Sequence, residues 1–330
     1  MAEELLIIKI EAFAYTIPAK PTTISLGTLY EAKNFLVKIY TNKGIAGWGE
    51  GAPFPMIVGE TQETCMALSK DFASLLLGKD SLLIDERMRQ LTEYAPFNFT
   101  CKSAFDMALH DVAAQYANKP LYKFLGGEKK ELLTDETIYI ESPERMAGSA
   151  LKIAAKNPFF IKVKLGKDNN APHDVEIVQT IRRAIGNTIP LRLDANQGWS
   201  VDNAVTVLTA LADANVEFCE QPVHKHDIQG LKKITQSSPI KIMADEACFT
   251  AHDAQQLIEQ QACDYINIKL AKTGSMVEAG AIAKLAALHN MKCMLGGMDE
   301  SALALTANAH FACAHDSIVF HDMDYNINHL

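Results

Sequence analysis

Three carboxylates recur at one kind of position in this 330-residue chain. Asp194 closes the run Leu191-Arg192-Leu193, Glu220 follows Phe218 and Cys219, and Asp245 follows Ile242, Met243 and Ala244. Brought together without a counter-charge they would repel and raise one another's pKa, so their convergence calls for a cation. A donor set made only of oxygens suits Mg2+, or Mn2+, better than Zn2+. Lysines stand in neighbouring runs on both sides: Lys162 and Lys164 in Phe160-Ile161-Lys162-Val163-Lys164, and Lys269 after Ile266-Asn267-Ile268. A strand's period of two turns Lys162 and Lys164 to the same face, with Ile161 and Val163 on the other. An interior lysine must be paired or lose its charge, and a nearby cation draws its pKa down from about 10.4 toward a range where the amine accepts protons. Metal, carboxylates and lysines together suit the removal of a proton alpha to a carboxylate.

Such residues act together only if a scaffold gathers them. From residue 134 onward, β-rich runs recur at 134–140, 159–164, 191–194, 216–220, 242–245, 265–269, 292–295 and 318–322. The segments between them, 174–185 and 279–289 among them, have helical periodicity. The expected fold is α/β: a (β/α) TIM-type barrel over residues 126–330, whose strand ends converge on one rim. The rival, an open doubly wound sheet, lacks a glycine-rich dinucleotide fingerprint after any early strand. Counted along the barrel, Lys164 is on the second strand and Lys269 on the sixth, half a barrel apart, with the carboxylates on strands three to five. Two opposed bases take a proton from one face of a carbon and return it to the other, which inverts the centre.

Residues 1–125 read as an N-terminal α+β capping domain. Strand-like runs at 5–15 and 34–40 are followed by a turn at 42–44, a short strand at 45–48 and a helix over 61–76. Thr100 is placed to cap a helix with an apolar stripe through Ala104, Phe105, Ala108, Leu109, Val112 and Ala113. Segments 21–29 and 53–59 are expected as two lid loops. The second is apolar and bounded by proline, so it either packs on the barrel or covers a ligand.

Charge and cysteine usage narrow the surroundings. Lys plus Arg total 31 against 40 Asp plus Glu, a net charge of −9, with no basic run to follow a phosphate backbone. The seven cysteines are scattered and odd in number, which suits buried free thiols rather than a disulfide framework. No apolar run approaches the roughly 20 residues that span a bilayer, and the N-terminus lacks the order of a secretory signal. The expectation is a cytoplasmic protein with neither a membrane nor a nucleic-acid partner.

The set Lys162-Val163-Lys164, Leu193-Asp194-Ala195-Asn196-Gln197-Gly198-Trp199, Glu220-Gln221-Pro222, Asp245-Glu246 and Lys269 resembles the enolase superfamily, muconate-lactonising subgroup. Within it the chain is most similar to the dipeptide epimerases, over nearly its whole length. The resemblance implies Mg2+ (Mn2+ possible) on Asp194, Glu220 and Asp245, with Lys164 and Lys269 as the acid-base pair. Lys162 would add positive charge at the substrate's oxygens. It further implies a small-molecule dipeptide substrate and a tendency to form homo-oligomers. Dipeptide epimerases hold the substrate's α-ammonium on an Asp-x-Asp pair, matched here by Asp322-Met323-Asp324.

Two departures from the family pattern bear on specificity. Where glutamate-specific members carry an arginine in the first-domain loop, this chain has Gly27. In Gly296-Gly297-Met298-Asp299-Glu300, Asp299 beside Met298 occupies a position often apolar in that family. A carboxylate facing the substrate's side chain favours a cation and repels an anion. The expected substrate has Lys or Arg, or at least a non-acidic residue, in second place after a small or apolar one. Asp299 could instead pair with Lys272 or Lys292. Cycloisomerases, o-succinylbenzoate synthases and acid-sugar dehydratases share the scaffold, and a non-catalytic ligand-binding barrel is a further alternative. Family members run on for some tens of residues past the Asp-x-Asp pair, so either further residues follow Leu330 in the full protein or the capping domain is less tied down, with lid loops then expected to be mobile without ligand.

Overall fold

The computed structural model describes residues 4–324. Its N-terminal part is an antiparallel sheet of β1 (Ile7–Ile24), β2 (Gly27–Thr41) and β3 (Ala46–Gly51). Behind it lie α1 (Pro55–Val58), α2 (Gln62–Leu76), α3 (Ile84–Tyr94), α4 (Phe99–Tyr116) and α5 (Leu121–Phe124). Alternation along β2 turns Phe35, Val37 and Ile39 to one face, where they are fully buried with residues of α2 and α4. β3 carries glycine at 47, 49 and 51 because it lies directly on the α4 backbone: a Cβ on Gly49 would stand 1.9 Å from the carbonyl oxygen of Ala104.

Two expectations change here. The first lid is a strand hairpin rather than a loop. β1 and β2 stay paired as far as Ile24 and Gly27 and turn over Ser25 and Leu26. Residues of strand-forming type sustain the pairing, and the hydroxyls of Thr23 and Thr28 hydrogen-bond across it at 2.8 Å. Thr100 does not cap α4. The helix begins at Phe99, after Asn98 in the left-handed region, and its free amides at Thr100 and Cys101 donate to the buried carboxylate of Glu60 at 2.8 and 2.9 Å. An anion there also suits the helix dipole. The second lid segment contains α1, started by Pro55 at its first turn.

Eight parallel strands then follow in sequence order: β4 (Glu136–Ile138), β5 (Ile161–Lys164), β6 (Leu191–Asp194), β7 (Val216–Glu220), β8 (Lys241–Ala244), β9 (Tyr265–Ile268), β10 (Lys292–Gly296) and β11 (Ile318–Asp322). A parallel bridge between Thr134 and His321 joins the last to the first, so the sheet closes into a (β/α) barrel. Crossovers are made by α6 (Pro143–Ala154), α7 (Ala171–Ile185), α8 (Val201–Ala210), α9 (Ile228–Ser237), α10 (Ala251–Glu259), α11 (Leu270–Thr273), α12 (Met276–Leu288) and α13 (Ala302–Cys313). Ile161, Val163, Leu191 and Leu193 face these helices in the largest core. Phe218, Met243, Met294 and Phe320 form a separate apolar cluster. All seven cysteines are free and buried. Among the described residues no helix is long and apolar enough to cross a membrane.

Candidate active site

Strand register carries the charged residues into one row. Lys164 pairs with Asp194 across β5 and β6, and Asp194 with Glu220 across β6 and β7. Asp245 follows directly on β8, and Lys269 on β9. Lys164 Nζ donates to Asp194 Oδ2 at 2.6 Å, and Lys269 Nζ lies 2.9 Å from Asp245 Oδ2. Two residues before Lys164 on the same face, Lys162 is fully buried. It donates to Glu220 at 2.7 Å and to Asp322 at 2.6 Å, and lies 3.1 Å from Asp194. The three carboxylates and three lysines named from their spacing therefore meet at one rim.

Burial and mutual charge set their ionisation. Burial, then the neighbouring Asp194, pushes Glu220 up to about 7. Burial also works against the Asp194 and Asp245 anions, but Lys164 and Lys162 hold Asp194 below the ordinary carboxylate range, and Lys269 and Lys272 hold Asp245 well below it. For Lys162 burial favours loss of the proton, and Asp322, Glu220 and Asp194 more than offset it. Asp245 and Glu220 do the same for Lys269. The carboxylates around both side chains thus favour the ammonium form.

The oxygens at this rim fit a divalent cation. Buried acceptors without a hydrogen-bond donor cluster here: both oxygens of Asp245, Glu246 Oε2, Asn196 Oδ1 and Asn267 Oδ1. The ammonium groups of Lys272 and Lys269 lie 2.6 and 2.9 Å from Asp245 without forming aligned hydrogen bonds. A buried acceptor left unsatisfied is costly, and a hard cation such as Mg2+ is coordinated by such oxygens. A second acidic group adjoins the first: oxygens of Asp135, Asp322 and Asp324 lie within 4.8 Å of one another. Each of these already has a partner. Asp135 meets Arg192 at 2.9 Å, Asp322 meets Lys162, and Asp324 accepts from the Thr137 amide at 2.6 Å. Burial, then Asp322, raises Asp135 to about 8 and Asp324 to about 7. Asp322 itself is held at about 2, burial opposing and Lys162 prevailing. Asp322, Asp324, Thr137, Tyr139 and Met298 help line a cavity of about 50 Å³, room for little more than one water or ammonium group.

From the sequence Asp135 is not named, Glu246 enters only within the Asp245-Glu246 motif, and Lys272 only as a partner for Asp299, whereas the structure sets Lys272 on Asp245. Asp135 precedes β4 and belongs to no motif; its signal was Arg192, an arginine within a barrel strand that needs a buried partner. Lys272 is fully buried, one turn beyond Lys269, and donates to the carbonyls of Asp245, Cys248 and Asn267.

The positions expected to bear on specificity lie where the β1–β2 hairpin and α1 meet the barrel. Gly27, at φ 153°, follows the hairpin turn, and a Cβ there would stand 2.9 Å from Met56 Sδ of α1. Ser25 Oγ donates to the Asn196 carbonyl at 2.6 Å, which brings the hairpin tip to the rim. Met298 is buried among Ile24, Phe54, Ile57 and Ala271. Asp299 is half-buried. Among the described residues its carboxylate has neither an ion pair nor a hydrogen bond. Lys272 is committed to Asp245, and Lys292 is exposed. Burial raises Asp299 to about 6, with Lys164 and Lys269 drawing it back.

Residues 7–126 match the mandelate racemase/muconate lactonizing enzyme N-terminal domain, and residues 146–329 match the enolase C-terminal domain-like family. The chain belongs to the mandelate racemase/muconate lactonizing enzyme family. Within this family of the enolase superfamily it groups with the dipeptide epimerases, and it is an isomerase of the racemase and epimerase type. The D-Ala-D/L-Ala epimerase of Cytophaga hutchinsonii is 41% identical over 97% of this chain and 87% of its own length. The L-Ala-D/L-Glu epimerase of Bacillus subtilis is 38% identical over 96% and 88%. A crystal structure of a dipeptide epimerase from Methylococcus capsulatus, complexed with Mg and L-Arg-D-Lys, superposes with a TM-score of 0.91 at 30% identity, covering 98% of this chain and 92% of that one.

Proposed function

We propose that this family member epimerises the α-carbon of the C-terminal residue of a dipeptide by a 1,1-proton transfer between Lys164 and Lys269. The observation that carries the proposal is their placement: one lysine lies on the second barrel strand, the other after the sixth, and Asp194, Glu220 and Asp245 come from the strands between. A substrate carbon held over those carboxylates has one lysine on each face. The amine on one side takes the α-proton, the ammonium on the other gives up its own, and the bond forms with inverted configuration. The exchanged protonation states then suit the reverse direction.

Asp194, Glu220 and Asp245 would hold the metal. When bound, Mg2+ or Mn2+ supplies positive charge to the substrate carboxylate as it takes up the electrons of the broken C–H bond, and it offsets the carboxylate field that otherwise keeps Lys269 protonated. Lys162 adds fixed positive charge beside the same oxygens. Asp322 and Asp324 bind the α-ammonium, for which the small acidic cavity has both the charge and the size.

Asp299, Met298 and Gly27 set the second residue. A half-buried carboxylate without a partner favours a Lys or Arg side chain, Met298 supplies apolar contact for its methylenes, and Gly27 offers no cation to an acidic one. That the Methylococcus capsulatus enzyme is complexed with L-Arg-D-Lys supports a cationic substrate as compatible with the scaffold. We take residues 1–125 as the capping unit and 126–330 as the catalytic one. Initial rates with L-Ala-L-Lys and L-Ala-L-Glu in the presence of Mg2+ test the specificity: the lysine dipeptide should turn over faster, and equal or better turnover of the glutamate dipeptide contradicts it.

A further inference from the structure

The barrel loop that carries Met298 and Asp299 is held in place by the other domain. Glu50, in β3 of the capping sheet, is 1% exposed and receives five donors on its two carboxylate oxygens. Two come from the capping domain: Tyr15 Oη at 2.5 Å and Asn34 Nδ2 at 3.0 Å. Three come from the start of barrel helix α13: the Ser301 amide at 2.7 Å, Ser301 Oγ at 2.6 Å and the Ala304 amide at 3.1 Å. An anion on these first amides satisfies donors that the helix cannot pair itself, and it meets the positive end of the helix dipole. Asn34 reaches further and donates to the Asp299 carbonyl at 2.7 Å. Asn34 is itself fixed, since Gln62 Nε2 donates to its carbonyl at 2.5 Å and to that of Tyr15 at 2.7 Å.

On the barrel side the loop holds itself from within. The Met298 amide donates to the carboxyl group of Glu300. Gly297 closes over that group so tightly that a Cβ would lie 2.7 Å from Glu300 Oε2. The loop is therefore clamped inside by Glu300 and outside by Asn34 and Glu50, residues some 250 positions earlier in the chain. A shift of the capping domain would move the carbonyl of Asp299 and the first turn of α13 together.

We propose that Glu50 and Asn34 are positioning residues that fix, from the capping domain, the barrel loop presenting Met298 and Asp299 to the substrate's second side chain. The role assigned to Asp299 rests on the specificity reading above; the clamp itself does not. Neither residue touches the reacting atoms. Their loss should therefore weaken recognition of the second side chain more than proton transfer.

Asn34→Ala removes one donor and leaves Glu50 with four; Glu50→Gln keeps the shape and removes the charge. Two measurements are made on the full-length, Mg2+-loaded protein. Hydrogen–deuterium exchange, read on peptides spanning residues 297–305, should rise about tenfold or more in either variant, with peptides of β5 to β8 unchanged. Kinetics with L-Ala-L-Lys should show KM rising about tenfold and kcat falling less than threefold, the effect smaller for L-Ala-L-Ala. Protection of 297–305 equal to wild type in both variants overturns the clamp, whatever the substrate is. Loosening of the loop with equal KM changes for the two dipeptides overturns its link to specificity. Asp299→Asn, run alongside, keeps that result separate: if it leaves the dipeptide preference of the wild-type protein unaltered, the specificity reading has failed and the exchange data still decide the clamp. Should Glu50→Gln not fold, Asn34→Ala carries both measurements.

Discussion

The rim and the lid of this barrel are built on different principles. At the rim, Lys162, Lys164, Asp194 and Glu220 belong to strands, and Asp245 and Lys269 follow strands directly. Their mutual placement is set by ladder register, and Lys162, Asp194, Glu220 and Asp245 are fully buried. Under the lid, Gly27, Met56, Met298 and Asp299 come from segments far apart in the chain. They are held by side-chain contacts and by single hydrogen bonds between domains, such as Ser25 to Asn196 and Asn34 to Asp299. Register is shared by every residue of a strand, so a rim residue moves only if the barrel does. A lid residue answers to one or two bonds, each worth about 1 kcal/mol. Proton transfer should thus be all-or-none in its dependence on the rim, and substrate preference graded in its dependence on the lid.

The largest expected effects break the rim. Lys164→Ala and Lys269→Ala should each lower inversion by at least about two orders of magnitude, the range of a positioned acid or base. A loss of less than about fivefold in the optical rotation assay would remove that lysine from the reaction. Treatment with a chelator should abolish turnover and added Mg2+ restore it. Turnover that persists in a chelated, metal-free sample, checked by elemental analysis, would leave the buried acceptors without a donor, Glu246 Oε2 and Asn196 Oδ1, without that explanation.

Next in size is the small acidic cavity between rim and lid. On the proposed reading Asp322→Asn would remove a charge-assisted partner for an α-ammonium, a contact worth about 1.5–3 kcal/mol, and should raise KM for a dipeptide about 10- to 100-fold. The same variant also frees Lys162 from a 2.6 Å contact, so kcat should change as well. An effect on kcat alone would place Asp322 in the service of Lys162 rather than of the substrate. Asp299→Asn is smaller still. It should lower the preference for L-Ala-L-Lys over L-Ala-L-Ala about three- to fivefold, as expected for one partly exposed charge pair worth up to about 1 kcal/mol, with kcat for L-Ala-L-Ala altered less.

The gentlest test concerns the loop itself. Burial, then Glu50, raises Glu300 to about 8 from an ordinary 4.5. Between those values the native state keeps a proton that the unfolded chain releases, so this group makes stability fall as pH rises from about 4.5 to about 8. Below that window both states are protonated and the effect vanishes. Glu300→Gln should therefore flatten the pH dependence of urea unfolding between pH 5 and 8. An unchanged slope would show that Glu300 is ionised in the native loop.

This division also governed what could be read from sequence. Strand periodicity put Lys162 and Lys164 on one face and Asp194, Glu220 and Asp245 at strand ends, and the barrel places them so, because register follows from local alternation. Long-range partners left no such trace. Glu60 replaces Thr100 as the cap of α4 from 40 residues away, and Asp135 is tied to Arg192 across 57. Residues 21–29 are expected as a loop, yet cross-strand pairs such as Thr22 with Leu29 and Thr23 with Thr28 carry the β1–β2 ribbon through them, a pairing that no periodicity within either segment records. Gly27, Met298 and Asp299 were named from the resemblance; that they lie beneath one lid is a property of the assembled domains.

The central claim is the opposition of two bases, and isotope transfer tests it most directly. An L,L-dipeptide that is a substrate is incubated in D2O with the Mg2+-loaded protein and sampled at low conversion. If Lys164 and Lys269 act from opposite faces, the inverted product carries deuterium at the α-carbon from the first turnover, while unreacted substrate retains its proton. Product that instead retains the substrate's own proton means that a single base removed and returned it, and contradicts the two-lysine account.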